Sequence, residues 1–123
     1  MKILLVEDEE ILVKVMEEKL EREKFEVKTV RDGDSVLPAV KSFNPDIILL
    51  DIILPKKDGL QVLADIKADS EISHIPVITM SNLGDDEKIK AALKLGAADY
   101  LVKTQHPINE IVNKIRELGV KAK

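Results

Sequence analysis

Short apolar runs alternate along this chain with longer segments in which apolar residues recur three or four positions apart. Short runs are typical of β-strands and the spaced segments of amphipathic α-helices, so the pattern predicts five of each in alternation. The predicted strands cover residues 2–6, 25–30, 47–51, 76–80 and 98–102. The third of these, Ile47–Asp51, is four apolar residues followed by an acid, which is typical of a strand buried on both faces in the middle of a parallel sheet.

The helices that connect these strands have apolar faces that we expect to pack against the sheet. The expected inward residues are Ile11, Leu12, Val15, Met16 and Leu20 in the first helix, Val36, Leu37, Val40 and Phe43 in the second, Leu60, Leu63 and Ile66 in the third, Ile89, Ala92 and Leu93 in the fourth, and Ile108, Ile111, Val112, Ile115 and Leu118 in the fifth. The fourth helix should end at Gly96, and the fifth should begin near Pro107 and end at Gly119. Residues 120–123 should then be frayed.

This alternation of strands and helices predicts an α/β fold. Because crossovers between parallel strands are right-handed, the sheet should carry helices on both faces. We expect a doubly wound (βα)5 domain with a central parallel five-stranded sheet in the order 2-1-3-4-5, which is the flavodoxin-like arrangement. The chain has no linker, repeat or low-complexity tract, so we expect a single domain over residues 1–119, a C-terminal tail over 120–123 and no output domain.

Composition and charge argue against several function classes. The chain is 45% hydrophobic and 34% charged, as expected for a globular domain, and no apolar run approaches the ~20 residues of a membrane span. Its net charge of −4 gives no basic field for direct nucleic-acid binding. The absence of cysteine suits a cytoplasmic protein. With Phe25, Phe43 and Tyr100 as the whole aromatic set, base-stacking platforms and flavin sandwiches are disfavoured.

Polar side chains stand at the carboxyl ends of four predicted strands. They are Glu7 and Asp8 after the first, Asp51 at the end of the third, Ser81 after the fourth and Lys103 after the fifth. In the expected strand order the first and third strands are neighbours ~5 Å apart, so the three carboxylates should share one crevice. Unpaired carboxylates at such short range require either raised pKa values or a cation, and hard oxygen ligands with room for water suit Mg²⁺.

Such a crevice could hold a phosphoryl group in spite of its acids. A divalent ion and Lys103 would offset the charge of the phosphoryl oxygens, Ser81 would offer a hydroxyl, and Asp51 would attack in line as nucleophile. In this chemistry the protein contributes mainly positioning and electrostatic stabilisation.

These motifs resemble the response-regulator receiver domains of bacterial two-component signalling, in particular the single-domain chemotaxis-receiver type. The residues that carry the resemblance are Val6-Glu7-Asp8, Leu49-Leu50-Asp51, Leu54-Pro55, Asp58-Gly59, Met80-Ser81, Gly96-Ala97 and Tyr100-Leu101-Val102-Lys103. Each motif is weak alone, but together they occur in family order and spacing over residues 2–118.

The resemblance implies a role for each matching position. Asp51 matches the phosphoacceptor, and Asp8 and Glu7 match the acidic pair that binds Mg²⁺ or Mn²⁺, with the backbone carbonyl of Ile53 as a further ligand. Lys103 matches the family's lysine. Ser81 and Tyr100 match the switch pair that re-shapes the surface of helix four, strand five and helix five when the phosphoryl group arrives.

Several positions depart from the family pattern. Glu7 stands where Asp is common, and Asn82 follows Ser81 where a small residue is usual, which narrows access to the phosphoryl site. Thr104 replaces the proline that usually follows the lysine through a cis bond, so the geometry of the Lys103–Thr104 bond is left open. Ile53 and Leu83 are apolar where some relatives guide hydrolytic water with amides or acids. We therefore expect the phosphoryl group to be lost slowly.

The resemblance also implies partners. The donor would be a phosphohistidine on a histidine kinase or a histidine phosphotransfer protein, which in the family commonly docks on the first helix, here around Ile11, Leu12 and Val15. The output would pass to an unknown downstream protein. The expected state is a monomer, and whether phosphorylation drives dimerisation is left open. The domain would catalyse its own phosphorylation and slow dephosphorylation without turnover of an external substrate.

Each of these residues could also have a simpler role, and the fold could serve a different function. Asp51 could be a simple strand-end acid, Glu7 and Asp8 helix-start acids, and Tyr100 a half-buried packing residue. A nucleotide-binding enzyme with the same fold would need glycines after the first strand to bind phosphate, and the chain instead has four acids, Glu7–Glu10. A receiver that signals without phosphorylation usually lacks an acid or the lysine, and this chain keeps both. His74 and His106 are expected to be surface residues.

Overall fold

The computed structural model describes residues 1–82, 84–103 and 108–122 of the chain. Its elements, in chain order, are β1 (Lys2–Val6), α1 (Glu10–Arg22), β2 (Glu26–Val30), a 3-10 turn (Gly33–Ser35), α2 (Val36–Phe43), β3 (Ile47–Asp51), α3 (Gly59–Ala68), β4 (Val77–Ser81), α4 (Asp86–Lys94), β5 (Asp99–Val102) and α5 (Ile108–Ala122). The predicted alternation of strands and helices is confirmed. None of the helices in these residues is both long and apolar enough to cross a membrane.

The five strands form one parallel sheet in the order β2-β1-β3-β4-β5, as predicted. β3 lies at the centre and all five of its residues are buried. Side chains alternate between two hydrophobic clusters, one on each face of the sheet. α2, α3 and α4 cover the cluster that contains Leu4 and Ile48, and α1 and α5 cover the cluster that contains Leu5 and Leu49.

Local sequence signals fix several helix ends. The Asp58 side chain accepts a hydrogen bond from the Leu60 N–H at 3.3 Å and caps α3. Asn44, with φ of 52°, ends α2 in the left-handed conformation, and Gly96, with φ of 108°, does the same just beyond α4. The predicted stop at Gly96 is therefore confirmed.

The inward face predicted for α1 is partly wrong. Met16 and Leu20 are buried as expected, but Val13 is the third buried residue, whereas Ile11 is 81% exposed and Val15 49% exposed. Ile11 and Val15 lie two positions either side of Val13, which is about 200° around a helix, so they point away from the sheet when Val13 faces it. The apolar residues of α1 surround more of the helix than the sheet can cover.

Two further predictions about helices are wrong. Leu93 is exposed while Ile89 and Ala92 are buried, because α4 lies beside the edge strand β5 and its flank has no further strand to cover it. α5 continues through Gly119 to Ala122, since Gly119 lacks the positive φ that ends a helix and instead gives room to the Met1 side chain. The predicted helix start near Pro107, the surface position of His106 and the Lys103–Thr104 bond lie outside the described residues.

Candidate functional site

The predicted site residues meet at the carboxyl edge of the sheet. Asp51 is the last residue of β3 and Ser81 the last of β4, while Glu7 follows β1 and Lys103 follows β5. Because β1, β3, β4 and β5 are consecutive in the sheet, these four positions are neighbours. The strand order reverses between β1 and β3, which is where open α/β sheets place their ligand sites.

Three carboxylates form a cluster at this edge. Glu7, Asp8 and Asp51 each offer one oxygen, and these oxygens all lie within 4.8 Å of one another. Glu7 and Asp51 are buried, with 0% and 2% of their surface exposed, whereas Asp8 is exposed. A cation held by these oxygens would thus have protein on one side and solvent on the other. Three hard oxygen donors with room for water fit Mg²⁺ or Mn²⁺.

Lys103 connects the two buried carboxylates. Its Nζ lies 2.7 Å from Oε1 of Glu7 and 2.7 Å from Oδ2 of Asp51. Burial acts to lower the pKa of Lys103, but hydrogen bonds and charge from Asp51 and Glu7 outweigh it and raise the pKa above its usual value. The ammonium is therefore held charged in the crevice.

Burial affects the pKa of Glu7 in the opposite direction from that of Lys103. Burial is the main cause that raises the pKa of Glu7 above its usual value, and the neighbouring Asp51 carboxylate raises it further, while Lys103 offsets part of the effect. Its Oε2 accepts hydrogen bonds from the backbone N–H groups of Asp8, at 3.0 Å, and Glu9, at 3.2 Å. The start of the loop after β1 thus fixes the orientation of this side chain.

Asp51 is held by the loop that follows it. Its Oδ1 accepts a hydrogen bond from the Ile53 N–H at 3.0 Å, while Oδ2 contacts Lys103. Ile53, whose N–H makes this bond, is also the residue whose backbone carbonyl is the predicted metal ligand. Its side chain is half exposed. The N–H contact could not be predicted from sequence, because a backbone donor leaves no signature in residue type.

The predicted switch residues lie on the two last strands. Ser81 is buried and its hydroxyl donates to the Leu101 carbonyl over a long 3.5 Å. Tyr100 is on the edge strand β5, opposite Thr79 of β4, and is partly exposed. The three acids and Lys103 thus lie together, Ser81 adjoins them at the end of β4, and Tyr100 stands three residues before Lys103 on the outer strand.

Comparison with known proteins was consistent in sequence and in structure. The family model described as "Response regulator receiver domain" matches residues 3–116. The "Probable transcriptional regulator ycf27" of Guillardia theta is 37% identical over 115 residues, which are 94% of this chain and 44% of that protein. The chain spans about half the length, or less, of curated relatives such as this one.

Two solved structures share the architecture closely. The BeF3-activated N-terminal receiver domain of Klebsiella pneumoniae RstA superposes with a TM-score of 0.88 at 27% identity, covering 97% of this chain and 98% of that one. The phosphorylated cyanobacterial phytochrome response regulator RcpA superposes with a TM-score of 0.83 at 34% identity, covering 99% of this chain and 95% of that one.

Proposed function

Because the chain belongs to the response regulator receiver domain family, we propose that Asp51 is its phosphoacceptor and that Lys103, Ser81 and the acids around Asp51 serve the transfer. The observation that carries this proposal is the position of Asp51, which is buried at the crevice, joined to Lys103 and within metal-binding distance of Glu7 and Asp8. Receiver domains are phosphorylated on aspartate by sensor kinases, and this arrangement has the groups that the reaction needs.

The transfer is an in-line displacement. A carboxylate oxygen of Asp51 attacks phosphorus, the O–P bond forms, and the P–N bond to the histidine of the donor breaks. The Ile53 N–H holds the carboxylate in a fixed orientation, and Lys103 lies close enough to transfer its hydrogen bond from Asp51 Oδ2 to a phosphoryl oxygen. The Ile53 N–H is already in place, so it stabilises the carboxylate without reorganisation at the moment of reaction.

The acidic groups would hold the metal that this chemistry requires. Asp8 and Asp51 would bind Mg²⁺ or Mn²⁺ directly together with the Ile53 carbonyl, and Glu7 would act through water. When bound, the metal would supply positive charge next to the phosphoryl oxygens. Without a cation, the buried carboxylates of Glu7 and Asp51 would place negative charge against that of the phosphoryl group.

Phosphorylation then changes the surface formed by α4, β5 and α5. The Ser81 hydroxyl has only a long contact to the Leu101 carbonyl, so little is lost when it turns to a phosphoryl oxygen. We assign Tyr100 the role of the side chain that follows it inward. The surface that changes is formed by α4, β5 and α5, on which Leu93 and Tyr100 are exposed.

The partners follow from the two exposed apolar regions. The donor, a histidine kinase or phosphotransfer protein, would dock on α1, where Ile11 and Val15 are exposed beside a cavity of about 170 Å³ whose lining includes Leu12 and Lys103. A downstream protein, or a second copy after phosphorylation, would bind the α4–β5–α5 face. The proposed location is the cytoplasm, where sensor kinases present their phosphohistidine.

The experiment is intact-mass measurement after incubation with acetyl phosphate and Mg²⁺. We expect one phosphoryl adduct, absent from the Asp51→Asn variant and from a sample with EDTA. No adduct from acetyl phosphate or from a phosphorylated kinase, with the fold intact by circular dichroism, would mean that the domain signals as an unphosphorylated scaffold.

A further inference from the structure

The loop that carries Ile53 is pressed against the turn before α2. Gly33 of that turn is buried, and its N–H donates to the Pro55 carbonyl at 3.1 Å. A Cβ at position 33 would lie 2.2 Å from the Lys57 carbonyl oxygen and 2.5 Å from the Lys57 Cβ. Because the φ of Gly33 is not positive, it is this close approach of two loops, and not the local conformation, that requires glycine.

The β3–α3 loop is strained at the point of contact. Lys56 has a φ of 70°, and the Lys57 N–H donates to the Pro55 carbonyl at 2.8 Å. A hydrogen bond from the N–H of the third residue to the carbonyl of the first, around a central residue with positive φ, defines the rare form of the γ-turn. The Pro55 carbonyl therefore accepts from both Lys57 and Gly33. A residue other than glycine keeps such a φ only where its surroundings hold it there.

The other end of the loop is fixed by a second close approach. A Cβ on Gly59 would lie 2.4 Å from the Asp51 carbonyl oxygen and 2.5 Å from that of Ile52, and the Gly59 N–H donates to Ile52 at 2.9 Å. Ile53 stands between the two fixed ends, with its own N–H on Asp51 Oδ1. The path of the loop is thus determined on both sides of the Ile53 carbonyl.

We propose that Gly33 is a positioning residue for the metal site: through Pro55 and Lys57 it holds the strained turn that sets the place of the Ile53 carbonyl. This inference rests on the proposed function, in which that carbonyl is a metal ligand. Gly33 itself does not touch the metal or the phosphoryl group. Gly33 acts by fixing the position of the Ile53 carbonyl before the metal binds.

The test is a Mn²⁺ titration of the unphosphorylated protein, with free Mn²⁺ measured by electron paramagnetic resonance. Gly33→Ala forces the two loops apart and should weaken Mn²⁺ binding about tenfold, as loss of a group that orients a ligand typically does. Lys56→Pro should have a similar effect, because proline cannot adopt the positive φ of the turn. The Lys56 side chain is 64% exposed, so this variant leaves the core intact.

The matched control is Gly119→Ala, an equally small change whose Cβ would meet only the flexible end of Met1. Gly119 lies beside Asp46 and Pro76, at the amino ends of β3 and β4 and so at the opposite edge of the sheet from the site. It should bind Mn²⁺ as the parent does. Autophosphorylation with acetyl phosphate gives a second readout: Gly33→Ala should need about tenfold more Mg²⁺ for half-maximal rate but reach nearly the parent rate at saturation.

The outcomes separate the inference from the function on which it rests. If Gly33→Ala or Lys56→Pro folds, is destabilised in urea, but binds Mn²⁺ like the parent, the role is structural only and the inference is wrong. If the parent itself binds no Mn²⁺, the metal assignment in the proposed function fails, whatever the variants do.

Discussion

Lys103→Met provides the sharpest test of how the site is held together. The change keeps an unbranched side chain but removes the ammonium that lies 2.7 Å from both Glu7 and Asp51. At an effective dielectric constant of about 20, each of these contacts is worth about 6 kcal/mol of Coulomb attraction before desolvation is counted. Desolvation offsets most of it, and removing one partner of a buried ion pair typically costs about 3–5 kcal/mol.

The expected loss depends on pH. In the variant the pKa of Glu7, already raised by burial, should rise further because the neighbouring positive charge is gone. A carboxyl with a raised pKa in the folded state binds its proton more tightly than in the unfolded chain. Its stabilising effect is complete below the ordinary value of 4.5 and is lost as the pH rises through the raised value. Within that window the free energy of unfolding should fall by about 1.4 kcal/mol per pH unit.

Urea unfolding followed by circular dichroism, in EDTA and at pH values from about 5 to 8, measures both effects. We expect Lys103→Met to be less stable than the parent by about 3 kcal/mol at the upper end and to recover much of this at the lower end. Lys114→Met is the matched control, since its ion pair with Asp99 at 2.8 Å is more exposed to solvent than the pairs of Lys103 and should be worth about 1 kcal/mol or less. A Lys103→Met deficit no larger than that of the control, or one that stays constant with pH, would refute this account of the crevice.

Two other variants test the separate roles of the acids and of the loop. Asp8→Asn should leave the urea midpoint nearly unchanged because Asp8 is exposed, but should weaken Mn²⁺ binding at least about tenfold; equal binding would remove Asp8 from the ligand set. The parent aspartyl phosphate, isolated from phosphatases and followed by intact mass in Mg²⁺, should outlast seconds by a wide margin. Ile53→Asn, which offers an amide to hydrolytic water, should shorten that lifetime, and a parent lifetime of seconds would contradict the expectation.

The sheet could be predicted from sequence because its signals are local. The apolar run of Ile47–Asp51 identifies the central strand, and the acids after β1 and at the end of β3 indicate a shared edge once the strand order is assumed. The cluster of Glu7, Asp8 and Asp51 then follows from chain direction alone. These features require no knowledge of how far a side chain reaches.

The errors lie where packing decides between equally apolar positions. Periodicity shows that α1 has apolar residues around much of its circumference, but only the sheet selects Val13 over Ile11 and Val15. The same ambiguity places Leu93 in the predicted core, although it is exposed beside the edge strand. Gly33 carries no sequence signal beyond that of a turn, since its glycine is required by a loop more than twenty residues away.

In the proposed function, the contacts of Lys103 would couple metal binding to phosphoryl binding. Its ammonium neutralises part of the charge on Glu7 and Asp51, and a divalent cation on the same carboxylates would do so more strongly. Once those carboxylates are neutralised, less attraction holds Lys103 to them, and its donors become available to a phosphoryl oxygen. We therefore expect Lys103→Met to bind Mn²⁺ more tightly than the parent while losing phosphorylation, because the variant lacks the positive charge that repels the metal. Weaker Mn²⁺ binding in this variant would show instead that Lys103 orients the carboxylates for the metal and does not compete with it.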